Sequence, residues 1–176
     1  MGETTVGTRA LETDGSTMDI EQVVVPAELR ATDDQLRDPE TLPWVPQVEG
    51  VWFKPLRICP SRGTWTNLLR VTKRGTINLH RHLDAVEAWV IKGEWRYLER
   101  DWVGRPGTYV FEPPGDIHTL VNAGEGEMVT LFSIHGPIEY ISAGGETIFT
   151  ETAETKLAKY VNYCQENGLA LAPIVD

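Results

Sequence analysis

The stretch GTINLHRHLDAVEAWVIKG, residues 75–93, decides how this chain is read. It holds two histidines one residue apart, His80 and His82. Side chains alternate across an extended strand, so both imidazoles fall on one face and can reach one metal ion, while Arg81 points to the other face. The chain has four histidines. A third, His118, lies in a second segment with turn residues of its own, GTYVFEPPGDIHTLVN, residues 107–122. Two strands can therefore converge on one ion, and several imidazoles brought together need a cation or protons to be stable.

Outward from these segments the chain reads as short strands punctuated by Gly and Pro. Residues 64–72 alternate, with Trp65, Leu69 and Val71 on one face and Leu68 on the other. A turn at 73–75 leads into a strand carrying Asn78, His80 and His82, and residues 86–92 resume the line. Gly93 then closes a hairpin into 95–99. After a turn at 104–107 come a strand at 108–112 and a rigid corner, Pro113, Pro114 and Gly115, that positions His118. Further strands are expected at 120–123, 127–134, 138–142 and 147–149. This pattern argues for a sandwich or barrel rather than a βαβ fold. The expected architecture is all-β, one small jelly-roll barrel, with a helix only at the end. From Thr152 onward, Leu157, Tyr160, Val161 and Cys164 recur at the spacing of one helix face, and Gly168 is a stop.

Upstream, residues 1–20 show no periodicity and read as a flexible tail, leaving 21–176 as a single domain. Residues 23–25 are β-branched and stopped by Pro26, which fits an edge strand or one donated to a partner subunit. A turn of helix is expected at 33–37. The segment 43–60 alternates Pro and Trp and is too apolar for a linker; within it, VWFKPLRI reads as a strand that Pro55 assigns to an edge.

A chain of 176 residues suits one core. The net charge of −10, without a cluster of Lys and Arg, argues against nucleic acid. No apolar run approaches spanning length and no signal peptide is recognisable, so no membrane partner is expected. Cys59 and Cys164 form neither a C-x-x-C pair nor a disulfide framework, and the expected compartment is the reducing cytoplasm. No phosphate-binding glycine signature is present.

The two segments resemble the motifs of the cupin superfamily. The first motif is carried by Gly75, His80, His82, Glu87 and Gly93, with slightly shortened spacings, and the second by Gly107, Pro113, Gly115, His118 and Asn122 without a gap. Within the cupins, the chain is similar to small non-haem iron dioxygenases that cleave C–C bonds beside a carbonyl, those acting on 2,4'-dihydroxyacetophenone or acetylacetone. The resemblance implies an oxidoreductase with Fe(II) on His80, His82 and His118, although Zn, Ni, Co or Mn can occupy such a site in a recombinant protein. It implies a small carbonyl substrate and O2 as partners, and a homo-oligomer based on a dimer. Exposed apolar edge around Trp52 and Phe53 points to the same assembly. Two other readings stay open: a different cupin enzyme, an isomerase or a quercetinase-like oxygenase, and a non-enzymatic sensor resembling the zinc-binding cupin domain of an anti-sigma factor.

Glu87 stands where many cupins supply a carboxylate ligand. Counted from His82 it fits, but counted back from Gly93 it is out by one residue, and one residue of register reverses the face. The expectation is a three-histidine site, with Glu87 beside it as a hydrogen-bond partner or turned to the surface. Trp89 and Ile91 share its parity and line the pocket only if Glu87 points inward. Trp65, Trp95 and Trp102 are expected in packing roles, and His135 in an ordinary one.

Overall fold

The computed structural model describes residues 11–13, 16–18, 27–34, 36–73 and 75–176. The strand expected at 23–25 lies outside them. Within the expected tail, Leu11–Thr13 (β1) and Ser16–Met18 (β2) pair as a short antiparallel hairpin that the sequence pattern did not suggest.

Eleven further strands make two antiparallel sheets, all within the described residues. In chain order they are β3 (Val45–Val48), β4 (Val51–Cys59), β5 (Thr64–Val71), β6 (Thr76–His82), β7 (Val86–Lys92), β8 (Trp95–Tyr97), β9 (Tyr109–Glu112), β10 (Ile117–Asn122), β11 (Met128–Ile134), β12 (Ile138–Ile141) and β13 (Thr147–Glu151). One sheet has the order β13-β12-β6-β10-β8, the other β3-β4-β5-β11-β7-β9. Their inner faces close on a jelly-roll core of Phe53, Trp65, Val71, Val86, Ala88, Val90, Trp95, Leu120, Met128 and Ile134. The alternation that buries these side chains is clearest in β11, where Met128, Thr130, Phe132 and Ile134 are buried and the residues between them are not.

Helix α1, Ala153–Glu166, begins with a capping box: Thr152 Oγ1 accepts from the Thr155 N–H, and Thr155 Oγ1 accepts from the Thr152 N–H. Its buried stripe includes Leu157, Tyr160, Val161 and Cys164, as the spacing required, together with Lys156. The chain end returns to the barrel, where the Ile58 N–H donates to Ile174 O and the Val175 N–H to Leu29 O. The expected helical turn at 33–37 is absent from the described residues there; a 3-10 turn forms instead at Pro39–Thr41, capped by the Asp38 carboxylate.

Two expectations about the lead-in need correction. Strand β4 is not an edge, since β3 and β5 flank it. Pro55 is tolerated because the β4–β5 register shifts between Pro55 and Arg57, and because the β3 pairing ends at Val45–Phe53, short of the proline. Nor is the segment bare: Phe53 is fully buried, and the Arg70 guanidinium lies over Trp52 and Trp44. Of the lead-in strands, Val48 is exposed, and four exposed apolar side chains lie together on the outer face of β7 and β9, at Trp89, Ile91, Tyr109 and Phe111.

The turn from β3 to β4 packs against the turn from β5 to β6. Gly50 O accepts from the Thr72 N–H at 2.9 Å, and the Gly75 N–H donates to Thr72 O at 2.9 Å. Gly50 has φ +74, and a Cβ there would come within 2.8 Å of Gly75 Cα. One on Gly75 would overlap the Gly50 carbonyl oxygen.

Candidate metal centre

The site is built on a row of cross-strand neighbours. His118 on β10 stands opposite His80 on β6, and His80 stands opposite Tyr140 on β12. His82 is opposite Ile138, which is in turn opposite Glu151 on β13. Directly opposed residues of an antiparallel pair share a face with Cβ atoms about 5 Å apart, so these side chains meet inside the barrel. The histidine parity holds, but Asn78 does not share their face; it is exposed. Between the His118–His80 and Leu120–Ile77 pairs, β6 carries one residue more than β10. This bulge turns Asn78 outward, and the Asn78 carbonyl then lies 2.7 Å from His80 Nδ1.

His118 is placed by the Pro-Pro-Gly corner. Gly115 has φ +85, a left-handed conformation that glycine adopts without steric cost. Its N–H donates to His82 O at 2.7 Å, and the His82 N–H donates to Asp116 O at 3.2 Å. The corner is thus stitched to the backbone of one histidine while it delivers another.

His80, His82 and His118 are all buried, at 4, 4 and 0 % exposure. Their ligating atoms come together in one cluster. His80 Nε2 and His82 Nε2 are 3.1 Å apart. His118 Nδ1 is 3.1 Å from Asp116 Oδ2, and Asp116 in turn accepts from Arg100, which leaves His118 Nε2 facing the cluster without a hydrogen bond. Burial, with His82 as neighbour, lowers the His80 pKa to about 4. Burial and the adjacent His80 lower that of His118 to about 3. Both rings are therefore neutral at pH 7, the form that ligates metal.

A fourth group was missed from the sequence. Glu112, 1 % exposed, puts Oε2 3.0 Å from His82 Nε2 and 3.5 Å from His118 Nε2. Its Oε1 accepts the hydroxyl proton of Tyr97, whose ring stacks on His118 with centroids 3.6 Å apart. Burial alone would raise the Glu112 pKa; His82, His118 and Tyr97 outweigh it and hold the group below the usual carboxylate range. Burial and the Glu112 charge push the Tyr97 phenol well above its ordinary value, so it remains a donor.

The donor set fits a transition-metal ion. Two ligand atoms each about 2.1 Å from one ion and at right angles are about 3.0 Å apart, close to the observed His80–His82 and His82–Glu112 separations. An ion would also satisfy two of the buried atoms left without hydrogen bonds, His118 Nε2 and Glu112 Oε2.

The alternative carboxylate, Glu87, faces away. Val86, Ala88 and Val90 are the buried residues of β7, so Glu87, Trp89 and Ile91 lie on the outer face. Glu87 accepts from Tyr109 OH at 3.0 Å and lies 3.5 Å from the Nε2 of His135, which is exposed. Trp89 and Ile91, at 41 and 53 % exposure, are therefore not pocket residues. Trp65 and Trp95 are core residues, whereas Trp102 is 38 % exposed and packs on Trp95 and Tyr97. Asn122 is structural, donating to Val71 O and Gly126 O.

A cavity of about 50 Å³ adjoins the cluster, lined by His80, His82, Leu69, Ile77, Phe132 and Ile138 among others. An open groove of about 580 Å³ lies on the far side of Tyr97 and Glu112, bordered by Arg100, Trp102, Tyr109 and Phe111.

The ChrR cupin-like domain family matches residues 32–139. The chain belongs to this family. Among solved structures, this cupin is similar to an RmlC-like cupin protein of Ralstonia eutropha JMP134, with 27 % identity, 82 % of this chain and 95 % of that chain covered, and a TM-score of 0.77. It shares the fold of an acetylacetone dioxygenase from Acinetobacter johnsonii at 17 % identity, with 76 % and 94 % of the two chains covered and a TM-score of 0.67. A putative acetylacetone dioxygenase from Methylibium petroleiphilum PM1 aligns at 16 % identity over 74 % of this chain and 96 % of that chain, also with a TM-score of 0.67. No curated protein sequence matches the chain. Among the described residues, no helix is long and apolar enough to cross a membrane.

Proposed function

We propose that this cupin is a non-haem Fe(II) dioxygenase that cleaves the C–C bond beside a carbonyl of a small diketone or hydroxyketone. The observation that carries this reading is the convergence of three buried imidazoles, two of which, His80 and His82, border a small cavity with mostly apolar walls. Iron held by His80, His82 and His118 would supply open positions for substrate oxygen and for O2, and the means to activate dioxygen. The protein's own part is orientation and exclusion of water. Asp116 fixes the His118 ring through Nδ1, and the Asn78 carbonyl does the same for His80. Leu69, Ile77, Phe132 and Ile138 keep the reacting carbon in a dry environment. The Glu112 carboxylate, anchored by Tyr97 and 3.0 Å from His82 Nε2, supplies negative charge beside the histidine cluster. In the overall reaction one atom of O2 enters each fragment. A hydroxyketone gives two carboxylic acids; a 1,3-diketone gives one carboxylic acid and one 2-oxoaldehyde.

A second reading has Glu112 behind it. With this carboxylate as a fourth ligand, the centre has three imidazoles and one carboxylate and less room for a chelating substrate, as suits a metal sensor. Anaerobic Fe(II) loading followed by oxygen uptake with a panel of diketones and hydroxyketones separates the two. Uptake with one oxygen consumed per substrate cleaved supports the dioxygenase. Tight metal binding without uptake across the panel supports the sensor. His118→Ala is expected to lose most bound metal while its circular dichroism stays that of the parent, because apolar strands build the barrel; stoichiometric metal in this variant refutes the site.

A further inference from the structure

The six-stranded sheet ends at β9, and this last strand has an open side. Val90 fixes which groups face it. The Val90 N–H donates to Thr108 O at 3.0 Å and the Val90 carbonyl accepts from the Gly107 N–H at 2.8 Å, so the backbone of Val90 points toward β9. Backbone direction alternates along an antiparallel ladder. Val90, Ala88 and Val86 therefore share one side of β7, and Val110 and Glu112 turn to meet them. The N–H and C=O of Tyr109 and Phe111 then point away from β7. Among the described residues, no backbone hydrogen bond from a turn or loop reaches either of them. The groove of about 580 Å³ is lined by every residue from Thr108 to Pro113, so it runs along this open edge.

The side chains beside the edge are apolar. Trp89, Ile91, Tyr109 and Phe111 are 41, 53, 50 and 55 % exposed, and Trp89 packs on Tyr109 with centroids 5.0 Å apart. At about 150–250 Å² per large side chain, roughly 400 Å² of apolar surface lies open, about half of what one partner gives to a standard interface. The charged groups around it are already engaged: Glu87 accepts from Tyr109, and Lys92 Nζ lies 2.9 Å from Glu127 Oε1. In a chain of net charge −10, a basic partner is drawn to the acidic surface elsewhere, whereas two copies meet with least repulsion at a patch without free charge. An unpaired edge beside exposed aromatics is what sheet proteins ordinarily cover.

We infer that β9 pairs antiparallel with β9 of a second copy about a two-fold axis at Val110, joining the two six-stranded sheets edge to edge. The free groups are used only if outward residues face outward residues, which leaves axes at Tyr109, Val110 or Phe111. An axis at Phe111 sets Tyr109 against Pro113, which has no N–H to give. An axis at Tyr109 sets Phe111 against Gly107, whose N–H is already bound to Val90 O. The axis at Val110 sets Tyr109 against Phe111 on both sides of it, with reciprocal N–H···O bonds and aromatic cross-strand pairs on the outer face. It also places Thr108 of the second copy opposite Glu112. The partner thereby reaches the carboxylate beside His82 and closes the groove on that flank of the metal centre. The pairing rests on the sheet edge alone and not on the chemistry proposed above.

Sedimentation of the full chain at about 100 μM should give a dimer, and Phe111→Lys should weaken association by about tenfold or more. Its circular dichroism should stay that of the parent, because Phe111 is half exposed within one chain. Leu169→Lys, at an exposed apolar position after α1, should associate as the parent does. Amide exchange reads the edge itself. In the parent the Tyr109 N–H should be protected, and in Phe111→Lys it should exchange about tenfold faster or more, while the Val110 N–H, turned to β7, stays slow in both. Val110→Cys tests the register: counterparts at the axis lie about 4.5 Å apart at Cα, within disulfide reach, so mild oxidation should give a covalent dimer. The native Cys59 and Cys164 are buried and do not compete. A parent that is monomeric at about 100 μM, a dimer indifferent to Phe111→Lys, or a Tyr109 amide that exchanges freely in the dimer overturns the inference. An associated Val110→Cys chain that forms no covalent dimer overturns the axis at Val110. A monomer whose Tyr109 amide is protected only by an added extended peptide assigns the edge to a foreign segment, and overturns the second copy.

Discussion

Glu151→Gln keeps the shape of a side chain that is 1 % exposed and removes a carboxylate that faces two ammonium groups, Lys156 Nζ at 3.0 Å and Lys159 Nζ at 2.7 Å. Burial works against the Glu151 charge, yet the two lysines hold its pKa down from 4.5 to about 2. At about 1.36 kcal/mol per pH unit, that fall corresponds to roughly 3 kcal/mol of native-state stability. Breaking a buried ion pair from one side costs about 3–5 kcal/mol in general, which agrees. Lys156 gives the reason that nothing offsets the loss. Burial lowers its pKa to about 8 even with Glu151 beside it, so its charge is already costly. Urea unfolding of the metal-free protein at pH 7 should show the variant about 3 kcal/mol less stable, and with a slope of about 2 kcal/mol per molar the midpoint falls by roughly 1.5 M. Adding Lys156→Met removes the stranded ammonium and should restore more than half of the loss. Because the folded pKa lies below the unfolded one, the contribution is complete above pH 4.5 and is lost as the pH falls from there through 2. The gap between parent and variant should therefore narrow by half or more between pH 6 and pH 3. A difference below about 1 kcal/mol at pH 7, or a gap that does not change with pH, refutes the reasoning.

The two acidic candidates separate cleanly. Glu87→Gln should leave metal content unchanged, whereas Glu112→Gln should lower metal affinity by about tenfold or more, read by competition with a chelator of known strength. Acid should weaken the metal-free protein over a window set by the histidines. Their folded pKa values, about 4 for His80 and about 3 for His118, lie below the ordinary 6.5, so an unfolded chain takes up protons first as the pH drops. Stability is then full above pH 6.5 and falls toward pH 4, by about 2 kcal/mol per histidine at pH 5. Urea midpoints at pH 7 and pH 5 measure it.

The strands were legible in the sequence because alternation and Gly–Pro punctuation report burial directly, and the three histidines because an H-x-H pair on one strand fixes its own parity. Glu87 could not be placed that way: Val86, Ala88 and Val90 are as apolar as Trp89 and Ile91, so hydrophobicity gave no preference between faces. In β9 the hydrophobic pattern points the wrong way. Tyr109 and Phe111 look like core residues and Glu112 like surface, yet the aromatics are half exposed and the acid is buried. The pairing of Glu112 with fully buried Val86 is what reveals it, and that is a long-range fact. Lys156 escaped notice for a similar reason. It stands four residues before Tyr160 on the apolar stripe of α1, where a lysine reads as the edge of the solvent face until its partner Glu151 is seen.

Gly75 matched a motif position, but its role lies with residue 50. Where the two turns meet there is no space for a methyl group on either side, so Gly50 and Gly75 act as a mortise and tenon cut from segments far apart in the chain. A change of loop length between β3 and β4 would shift the seat of the turn that launches β6, and with it the starting point of the strand that carries His80 and His82. The β3–β4 turn thereby serves as a jig for the histidine-bearing strand, and the two loops can vary only in concert.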